Sequence, residues 1–313
     1  MIEPLPAATA ADLTAPSGGA RPGARVLITG IHGFTGRYLA QSLREAGYEV
    51  FGLVQGAAQA PHELAADLTD RQSVAAALEQ VQPEYVVHLA AIAFVAHSDV
   101  AAMYRVNIMG TRNLLEALLP YKPRAVLLAS SANIYGNTLT SPITEQVPPA
   151  PANDYSVSKL AMEHMARLWM DRLPITLVRP FNYTGVGQGE NFLLPKIVAH
   201  YRRRAAQIEL GNLDVARDFS DVRDVVVTYR RLLELAPAGE TYNICSGRAY
   251  SLFEVLGLMA QIAGYEIEVR VNPAFARANE VKCLVGSNAH LSAAIGAQTR
   301  TALIDTLRWM VQA

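Results

Sequence analysis

The chain has 313 residues, with 27 basic and 28 acidic side chains and a formal net charge of −1. This length can bury a large core, as one large domain or two closely joined ones, and the near-neutral balance provides no overall field that would attract nucleic acid or an anionic membrane. Two cysteines, Cys245 and Cys283, are too few for a disulfide framework and lack the spacing of zinc ligands, so we expect free thiols, no metal site and a cytoplasmic location.

The first 24 residues are rich in Ala, Pro and Gly and contain neither an apolar run nor a basic segment at their start. Such a composition matches neither a signal peptide nor a membrane span. We therefore expect residues 1–24 to form a disordered tail.

A first strand is predicted at residues 26–28, which are branched and apolar and lead into a glycine-rich turn and then a helix. The three glycines of the turn suit, in order, a tight turn, a close approach of the backbone to a pyrophosphate, and close packing of helix on sheet. The helix start adds free amides and a partial positive charge. This context predicts a dinucleotide site, to which we assign Gly30, His32, Gly33, Phe34, Thr35 and Gly36.

The second predicted strand, residues 49–54, ends at Gln55, where a carboxylate would bind the adenosine ribose of NAD. Because no carboxylate at this position repels a 2′-phosphate, NADP(H) is favoured and NAD(H) stays possible. His32 and Arg37 are the nearest candidates for binding that phosphate, although a turn residue and an exposed helix cation explain them equally well.

Strands and helices continue to alternate, with strands predicted at residues 63–68, 85–89 and 125–129 and helices at 71–80 and 113–119. This alternation predicts a doubly wound parallel sheet whose ligands lie beyond the carboxyl ends of the strands. The strand-end residues assigned to the cofactor are Gln55, Asp67, Leu68, Leu89, Ala90 and Ala91.

A helical run over residues 155–173 begins with Tyr155 and Lys159, whose four-residue spacing puts a phenol and an ammonium on one face. The cation lowers the pKa of the phenol and burial raises it, so an acid that works near neutral pH needs the first effect to be larger. Ser130 and Ser131 close the preceding strand, and a hydroxyl there can hydrogen-bond a substrate oxygen during hydride transfer.

The motifs together resemble the extended short-chain dehydrogenase/reductases that modify nucleotide sugars, from about Arg25 to the C-terminus. They are Gly30-x-x-Gly33-x-x-Gly36, His88-Leu89-Ala90-Ala91, the segment 130–136 and Tyr155-x-x-x-Lys159. The resemblance implies that Ser131 holds the sugar oxygen, Tyr155 is the acid or base, and Lys159 binds the nicotinamide ribose and tunes the phenol. It also implies that Asn107 supports the cofactor site, and Ser130 is the alternative hydroxyl.

Asn133 stands two residues before Tyr135, where dehydratases of this family carry a Glu that removes a proton. An amide cannot act as a general base at neutral pH, which disfavours a dehydratase. A reductase needs only a hydride donor and a proton donor.

The second half resembles the GDP-mannose dehydratase and GDP-4-keto-6-deoxymannose reductase branch at residues 179–182, 211–224 and 242–247. The resemblance implies a GDP-sugar substrate whose diphosphate and ribose contact Asn182, Lys196, Arg217, Arg277 and Glu280. Guanidinium groups suit the paired oxygens of a pyrophosphate, and a carboxylate accepts hydrogen bonds from two vicinal hydroxyls.

The predicted fold is therefore α/β, with a Rossmann-like doubly wound parallel sheet and a smaller, interleaved C-terminal substrate-binding lobe. The NAD(P)-binding domain is predicted at residues 25–180, with 220–248 returning to it, and the lobe at 181–219 and 249–313. The resemblance further implies a homodimer formed by the helices at 100–119 and 155–169, although the sequence equally allows these helices to be buried against the sheet.

These expectations point to NADPH-dependent reduction of the C4 ketone of GDP-4-keto-6-deoxy-D-mannose to GDP-D-rhamnose. A nucleotide-sugar 4-epimerase with tightly held NAD is the enzyme alternative, and a non-catalytic NAD(P)-binding sensor is the other. The sequence does not distinguish a rhamnose from a talose product.

Overall fold

The computed structural model describes residues 21–93, 99–235, 237–275, 282–298 and 300–313. Its strands are β1 Arg25–Thr29, β2 Glu49–Val54, β3 Glu63–Ala65, β4 Tyr85–His88, β5 Ala125–Ala129, β6 Ile175–Pro180, β7 Asn182–Thr184, β8 Gln207–Leu210, β9 Ala216–Asp221, β10 Thr241–Ile244, β11 Ala249–Ser251, β12 Glu268–Val271 and β13 Cys283–Leu284. Its α-helices are α1 Phe34–Glu45, α2 Arg71–Val81, α3 Val100–Tyr104, α4 Thr111–Leu118, α5 Asp154–Arg167, α6 Leu193–Arg202, α7 Val222–Leu235, α8 Leu252–Ala263, α9 Ala289–Ile295 and α10 Leu303–Gln312.

A seven-stranded sheet in the order β10-β6-β5-β4-β1-β2-β3 forms the centre of the molecule. All of its strand pairs are parallel. Its strands are rich in branched apolar residues because both faces are covered, one by α1 and α7 and the other by α2, α4 and α5. The predicted doubly wound parallel sheet is confirmed.

The strand order reverses between β1 and β4, which opens a crevice at their carboxyl ends. The glycine-rich turn follows β1, and Leu89 to Ala91 follow β4. The strand β5 lies next to β4 and ends at Ala129, so Ser130 and Ser131 reach the same edge of the sheet.

Three predicted elements differ from the observed ones. The third strand ends at Ala65, because Asp67 turns the chain by accepting hydrogen bonds from the Thr69 amide and hydroxyl, both 2.8 Å. The helix predicted at residues 100–119 is interrupted by a six-residue π-helix, Arg105–Gly110, which contains Asn107. The helix that starts near Tyr155 ends at Arg167, and turns occupy the residues that follow.

The second half of the chain builds two smaller sheets beside the large one. One has the order β11-β9-β13 with β7 also paired to β9, and the other joins β12 to β8. Residues of α6, α8 and α10 pack with these strands in a separate apolar cluster.

Among the described residues, no helix combines the length and the hydrophobicity that a bilayer-spanning segment needs. Both cysteines are free thiols, with Cys245 buried and Cys283 exposed.

Candidate active site

The start of α5 is fixed by a capping box two residues before Tyr155. The Asn153 side chain accepts a hydrogen bond of 2.9 Å from the Ser156 amide, and the Ser156 hydroxyl lies 3.2 Å from the Asn153 amide. This pairing satisfies amides that a helix N-terminus otherwise leaves without partners. The phenol of the first turn is therefore presented from a well-defined helix end.

The Tyr155 side chain, in the first turn of α5, is only 8% exposed. Burial raises the pKa of its phenol to about 12, and a side-chain hydrogen bond with Ser131 opposes this rise. The phenol thus keeps its proton throughout the physiological pH range.

Lys159 lies one turn further along α5 and is 4% exposed. Its Nζ donates a hydrogen bond of 2.7 Å to the Ala129 carbonyl oxygen at the end of β5. Burial lowers the pKa of the ammonium to about 8, and the Glu163 carboxylate opposes that shift. At the phenol, burial is the larger effect on the pKa and the hydrogen bond with Ser131 opposes it. The role of Lys159 in tuning the phenol stays a prediction.

The two serines that close β5 have different surroundings. Ser131 bonds to Tyr155 through its side chain and also accepts a hydrogen bond of 3.2 Å from the Asn133 amide. The Ser130 hydroxyl is buried and has no hydrogen-bond partner among the described residues. The structure therefore brings Ser131, and not Ser130, to the phenol.

The glycine-rich turn has the shape that a dinucleotide requires. Gly30 adopts a φ of +73°, and a Cβ there would lie 2.9 Å from the Ala90 amide nitrogen. A Cβ on Gly36 would lie 2.2 Å from the Gly30 carbonyl oxygen, so only glycine allows α1 to approach the turn this closely. Gly33 caps α1 without a side-chain hydrogen bond, which leaves the amides of the first turn available to a phosphate. These residues fit an NAD(P) cofactor.

Two cofactor candidates at the start of α1 contact Tyr183 of β7. The Thr35 hydroxyl lies 2.7 Å from the Tyr183 hydroxyl. The Phe34 ring stacks on the Tyr183 ring with centroids 6.1 Å apart. Sequence reasoning missed Tyr183, whose only signal was its place in the motif that follows β6.

His32 bonds to a carboxylate that the sequence reading did not place near the turn. Its Nε2 lies 2.6 Å from Oε1 of Glu63, and the other oxygen of Glu63 accepts a hydrogen bond of 2.7 Å from the Gln59 amide. Because Glu63 begins β3, only the pairing of β3 beside β2 reveals its proximity to His32. The turn residue considered for a 2′-phosphate therefore already carries an acidic partner.

Asn107 is buried and holds the chain after β4. Its Oδ1 accepts a hydrogen bond of 2.8 Å from the Ile92 amide, and its Nδ2 donates to the Ile92 carbonyl oxygen at 3.1 Å and to the Ser158 hydroxyl at 2.9 Å. The Ser158 hydroxyl in turn donates to the Tyr155 carbonyl oxygen. Asn107 thus connects α5 to the strand-end segment that borders the crevice.

His88 links the same region to β1. Its Nδ1 lies 2.7 Å from the Thr29 hydroxyl and its Nε2 lies 2.9 Å from the Thr111 hydroxyl. Because the Thr111 hydroxyl donates its proton to the Asn107 carbonyl oxygen, Nε2 of His88 must carry the hydrogen. Burial lowers the pKa of the imidazole to about 3, and the Lys159 ammonium adds to this effect, so His88 is neutral.

The remaining cofactor candidates lie around the crevice. Gln55 is exposed just after β2, and the Asp67 carboxylate is bonded to Thr69. The Leu68 carbonyl oxygen accepts a hydrogen bond of 2.9 Å from the Asn113 side chain. The half-buried residues after β4 are Leu89, Ala90 and Ala91.

The described substrate candidates lie on α6 and in the sheet of β7 and β9. Lys196 donates a hydrogen bond of 2.7 Å to the Glu209 carbonyl oxygen, and its ammonium lies 4.2 Å from the centroid of the Phe275 ring. Asn182 lies 3.3 Å from the Asp218 carbonyl oxygen, and Arg217 donates to the Ala216 carbonyl oxygen at 3.0 Å. The other two predicted substrate residues, Arg277 and Glu280, lie outside the described residues.

A family model described as the NAD dependent epimerase/dehydratase family matches residues 26–245. The chain is 38% identical to GDP-6-deoxy-D-talose 4-dehydrogenase of Aggregatibacter actinomycetemcomitans, over 87% of this chain and 91% of that protein. It is 34% identical to GDP-6-deoxy-D-mannose reductase of Pseudomonas aeruginosa, over 91% of this chain and 95% of that protein.

Solved structures agree with the fold. A Burkholderia cenocepacia J2315 protein provisionally named an epimerase is 55% identical with a TM-score of 0.87, covering 93% of this chain and 98% of its own. RMD from Pseudomonas aeruginosa complexed with NADPH is 32% identical with a TM-score of 0.83, and the match covers 92% of this chain and 98% of that one. UDP-glucose 4-epimerase of Thermus thermophilus complexed with NAD is 28% identical with a TM-score of 0.82, also covering 92% and 98%. Two of these relatives are thus bound to NADPH or NAD, the cofactor class that the sequence predicts for this chain.

Proposed function

We propose that this chain, which belongs to the NAD dependent epimerase/dehydratase family, is an NAD(P)-dependent oxidoreductase of nucleotide sugars that reduces the C4 ketone of GDP-4-keto-6-deoxy-D-mannose to GDP-D-rhamnose. The observation that carries this proposal is the buried Tyr155 side chain beside Ser131, which follows β5 at the carboxyl edge of the sheet.

When bound, the reduced nicotinamide supplies a hydride to the substrate carbonyl carbon. Tyr155 donates its proton to the C4 oxygen as that oxygen gains negative charge, and Ser131 stabilises the charge by hydrogen bonding. Because an alkoxide is a stronger base than a phenolate, a phenol with a pKa of about 12 still gives up its proton to it. The high pKa therefore suits reduction, in which the resting enzyme must hold the proton.

Asn133, two residues after Ser131, supports reduction over elimination. The backbone amide of Asn133 donates a hydrogen bond to the Ser131 hydroxyl, so position 133 is next to Ser131. Its carboxamide side chain cannot remove a proton from the sugar at neutral pH.

We propose that residues 181–219 and 249–313 form the lobe that binds the GDP portion, while 25–180 and 220–248 bind the cofactor. Lys196 and Arg217 lie on this lobe and offer positive charge to a diphosphate. The Phe275 ring is half exposed, and its open face suits stacking of a nucleobase.

The C4 epimer GDP-6-deoxy-D-talose is the second candidate product. The relative that is 38% identical over 87% of this chain is named for that sugar, which supports this outcome directly. Both candidates need the same proton donor, and they differ only in the face of the ketone that receives hydride.

We also propose a homodimer formed through the outer faces of the helices around α4 and α5. Their inner faces, including Leu114 and Met162, pack on the sheet, whereas Met109, Val157 and Leu168 are exposed. Apolar side chains exposed on two adjacent helices favour pairing across a two-fold axis. Sedimentation of the protein and of a variant with Met109→Glu and Val157→Glu tests this, and a monomeric parent protein would contradict it.

The activity is tested by incubating the protein with NADPH and either GDP-4-keto-6-deoxymannose or UDP-glucose. Stoichiometric NADPH oxidation with the keto sugar, and none with UDP-glucose, is expected. Product NMR then distinguishes rhamnose from talose. Conversion of UDP-glucose without net NADPH use would establish the 4-epimerase instead, and cofactor binding without turnover of any keto sugar would favour a sensor.

A further inference from the structure

A buried carboxylate continues the row of functional side chains on α5. Glu163 follows Lys159 by four residues, as Lys159 follows Tyr155, so the three side chains lie along one face of the helix. The exposed fraction of Glu163 is 1%. A carboxylate this deeply buried requires a partner, because the loss of its hydration is costly.

The buried partner is Arg179 on β6, which is 4% exposed, and the half-exposed Arg167 lies 3.6 Å from the same carboxylate. Nε of Arg179 donates to one oxygen of Glu163 at 2.9 Å, and a terminal nitrogen donates to the other at 2.7 Å. Paired hydrogen bonds of this kind fix both the distance and the plane of the carboxylate. In the sequence, Arg179 stands out only as the first residue of the motif at 179–182.

Arg179 also holds the segment that carries Ser131. Its second terminal nitrogen donates to the Tyr135 hydroxyl at 2.9 Å and to the Glu145 carbonyl oxygen at 3.1 Å. Tyr135 ends the short helix that Ser131 caps. One guanidinium therefore ties together α5, β6 and the segment after β5, which are the three elements around the proposed active site.

The charges that face the Lys159 ammonium are few. Its hydrogen-bond acceptor is the neutral Ala129 carbonyl group. The titratable groups that act on it in the described chain are Glu163 from α5 and His88 from β4, and His88 is neutral. Burial lowers the pKa of Lys159 to about 8 even with Glu163 opposing the shift. Without that carboxylate, the ammonium would lose its proton closer to neutral pH.

We propose that Glu163, fixed by Arg179, is a positioning residue that presents a carboxylate to the buried Lys159 ammonium, a role that deepens the proposed reductase function. The carboxylate lies on α5, four residues after Lys159, and the guanidinium lies on β6. Stability alone does not require such a pair, because apolar residues of similar volume often hold a core at least as well as a buried ion pair.

The chain has only four lysines, at positions 122, 159, 196 and 282, so the protonation of Lys159 can be measured directly. Protein labelled with [13C]lysine is titrated by NMR, and the Lys159 signal is identified by its absence in Lys159→Met. In Glu163→Gln we expect the Lys159 titration midpoint to fall by about one pH unit. This measurement requires no turnover, so it stands even if the proposed substrate is wrong.

Glu163→Gln leaves Arg179 buried without its anion, and this variant can fail to fold. The double variant Glu163→Gln/Arg179→Gln removes both charges and supplies the second measurement. Its midpoint is expected between those of the parent and of Glu163→Gln, because both ends of the ion pair are lost together. Glu116→Gln is the control of equal charge change, since it removes a carboxylate on α4 that pairs with Arg112 and with Arg71, and it should leave the Lys159 midpoint unchanged.

In the turnover assay, the same loss of charge lowers kcat at pH 8 by about fivefold relative to the parent, and by less at pH 6. Glu163→Asp, which keeps the charge, should restore most of the lost activity. A Lys159 midpoint that stays at the parent value in the folded double variant overturns the proposal, whatever happens to turnover. If the Lys159 midpoint falls as expected but the parent enzyme reduces no keto sugar, the result counts against the proposed function alone.

Discussion

Ser131 and Tyr155 are joined by a side-chain hydrogen bond although they come from different parts of the fold. Ser131 follows the end of β5, and Tyr155 lies in the first turn of α5. The bond opposes the rise in phenol pKa that burial causes, so the serine is the residue that moderates the proton donor in this structure. A substrate oxygen that accepts the proton of the phenol would therefore also lie near the Ser131 hydroxyl.

Tyr155→Phe removes the proposed proton donor and nothing else from the crevice. We expect kcat to fall by about a factor of 100 to 10,000, because this is the usual contribution of a positioned general acid. NADPH affinity, measured by fluorescence titration, should stay within about twofold. Tyr104→Phe removes a phenol that bonds to Asp154 at the exposed start of the same helix, and it serves as the control. Comparable turnover in the two variants would exclude Tyr155 as the donor.

Ser131→Ala and Ser130→Ala test the assignment of the hydroxyl. Loss of Ser131 is expected to lower kcat by about 100-fold, since it removes a donor to the developing negative charge. The Ser130 hydroxyl has no partner among the described residues, so its removal should change kcat by no more than about twofold. The reverse order of effects would show that the neighbouring serine serves the reaction.

His88 should make the protein less stable in acid. Its pKa is about 3 in the folded chain and about 6.5 when unfolded, so between these values the unfolded state binds more protons. Stability is therefore lost as the pH falls below 6.5, by about 2 kcal/mol at pH 5 from this group. Urea unfolding at pH 7 and pH 5 should show a smaller difference for His88→Gln than for the parent. His62→Gln changes an exposed position and should lose as much stability between pH 7 and pH 5 as the parent. An equal loss of stability in His88→Gln and His62→Gln would rule out His88 as the source of the acid sensitivity.

Glu63 brings negative charge to the turn residue proposed for a 2′-phosphate. Glu63→Gln is expected to raise the ratio of NADPH to NADH affinity by about three- to tenfold at low salt, because a repulsive charge is removed while His32 keeps a polar partner. Glu49→Gln, which removes a carboxylate from the first residue of β2, provides the control. An unchanged ratio of the two affinities would show that the 2′-phosphate of NADPH does not bind near His32.

The sequence predicted the sheet well because its signals are local. Buried strands such as β1 and β4 are short apolar runs, and Gly30 to Gly36 form a motif with a fixed spacing. The four-residue spacing of Tyr155 and Lys159 likewise follows from one helix. Each of these features depends on residues that are close in the chain.

Contacts between distant segments could not be predicted in this way. Glu63 reaches His32 only after β3 pairs beside β2, and Arg179 reaches Glu163 only after β6 packs under α5. The net effect on the Tyr155 pKa also depended on burial, which residue spacing does not measure. The four-residue spacing of Lys159 and Glu163 is a local signal that predicts a carboxylate on the same helix face as the lysine.

The most direct test of the reductase assignment uses NADPH that carries deuterium at the transferable position of C4, with GDP-4-keto-6-deoxymannose as substrate. The account predicts one deuterium at C4 of the product sugar for each NADPH oxidised, and almost none with Tyr155→Phe. A product that contains no deuterium, or turnover with no loss of NADPH, would contradict the central claim that this chain reduces the ketone with Tyr155 as proton donor.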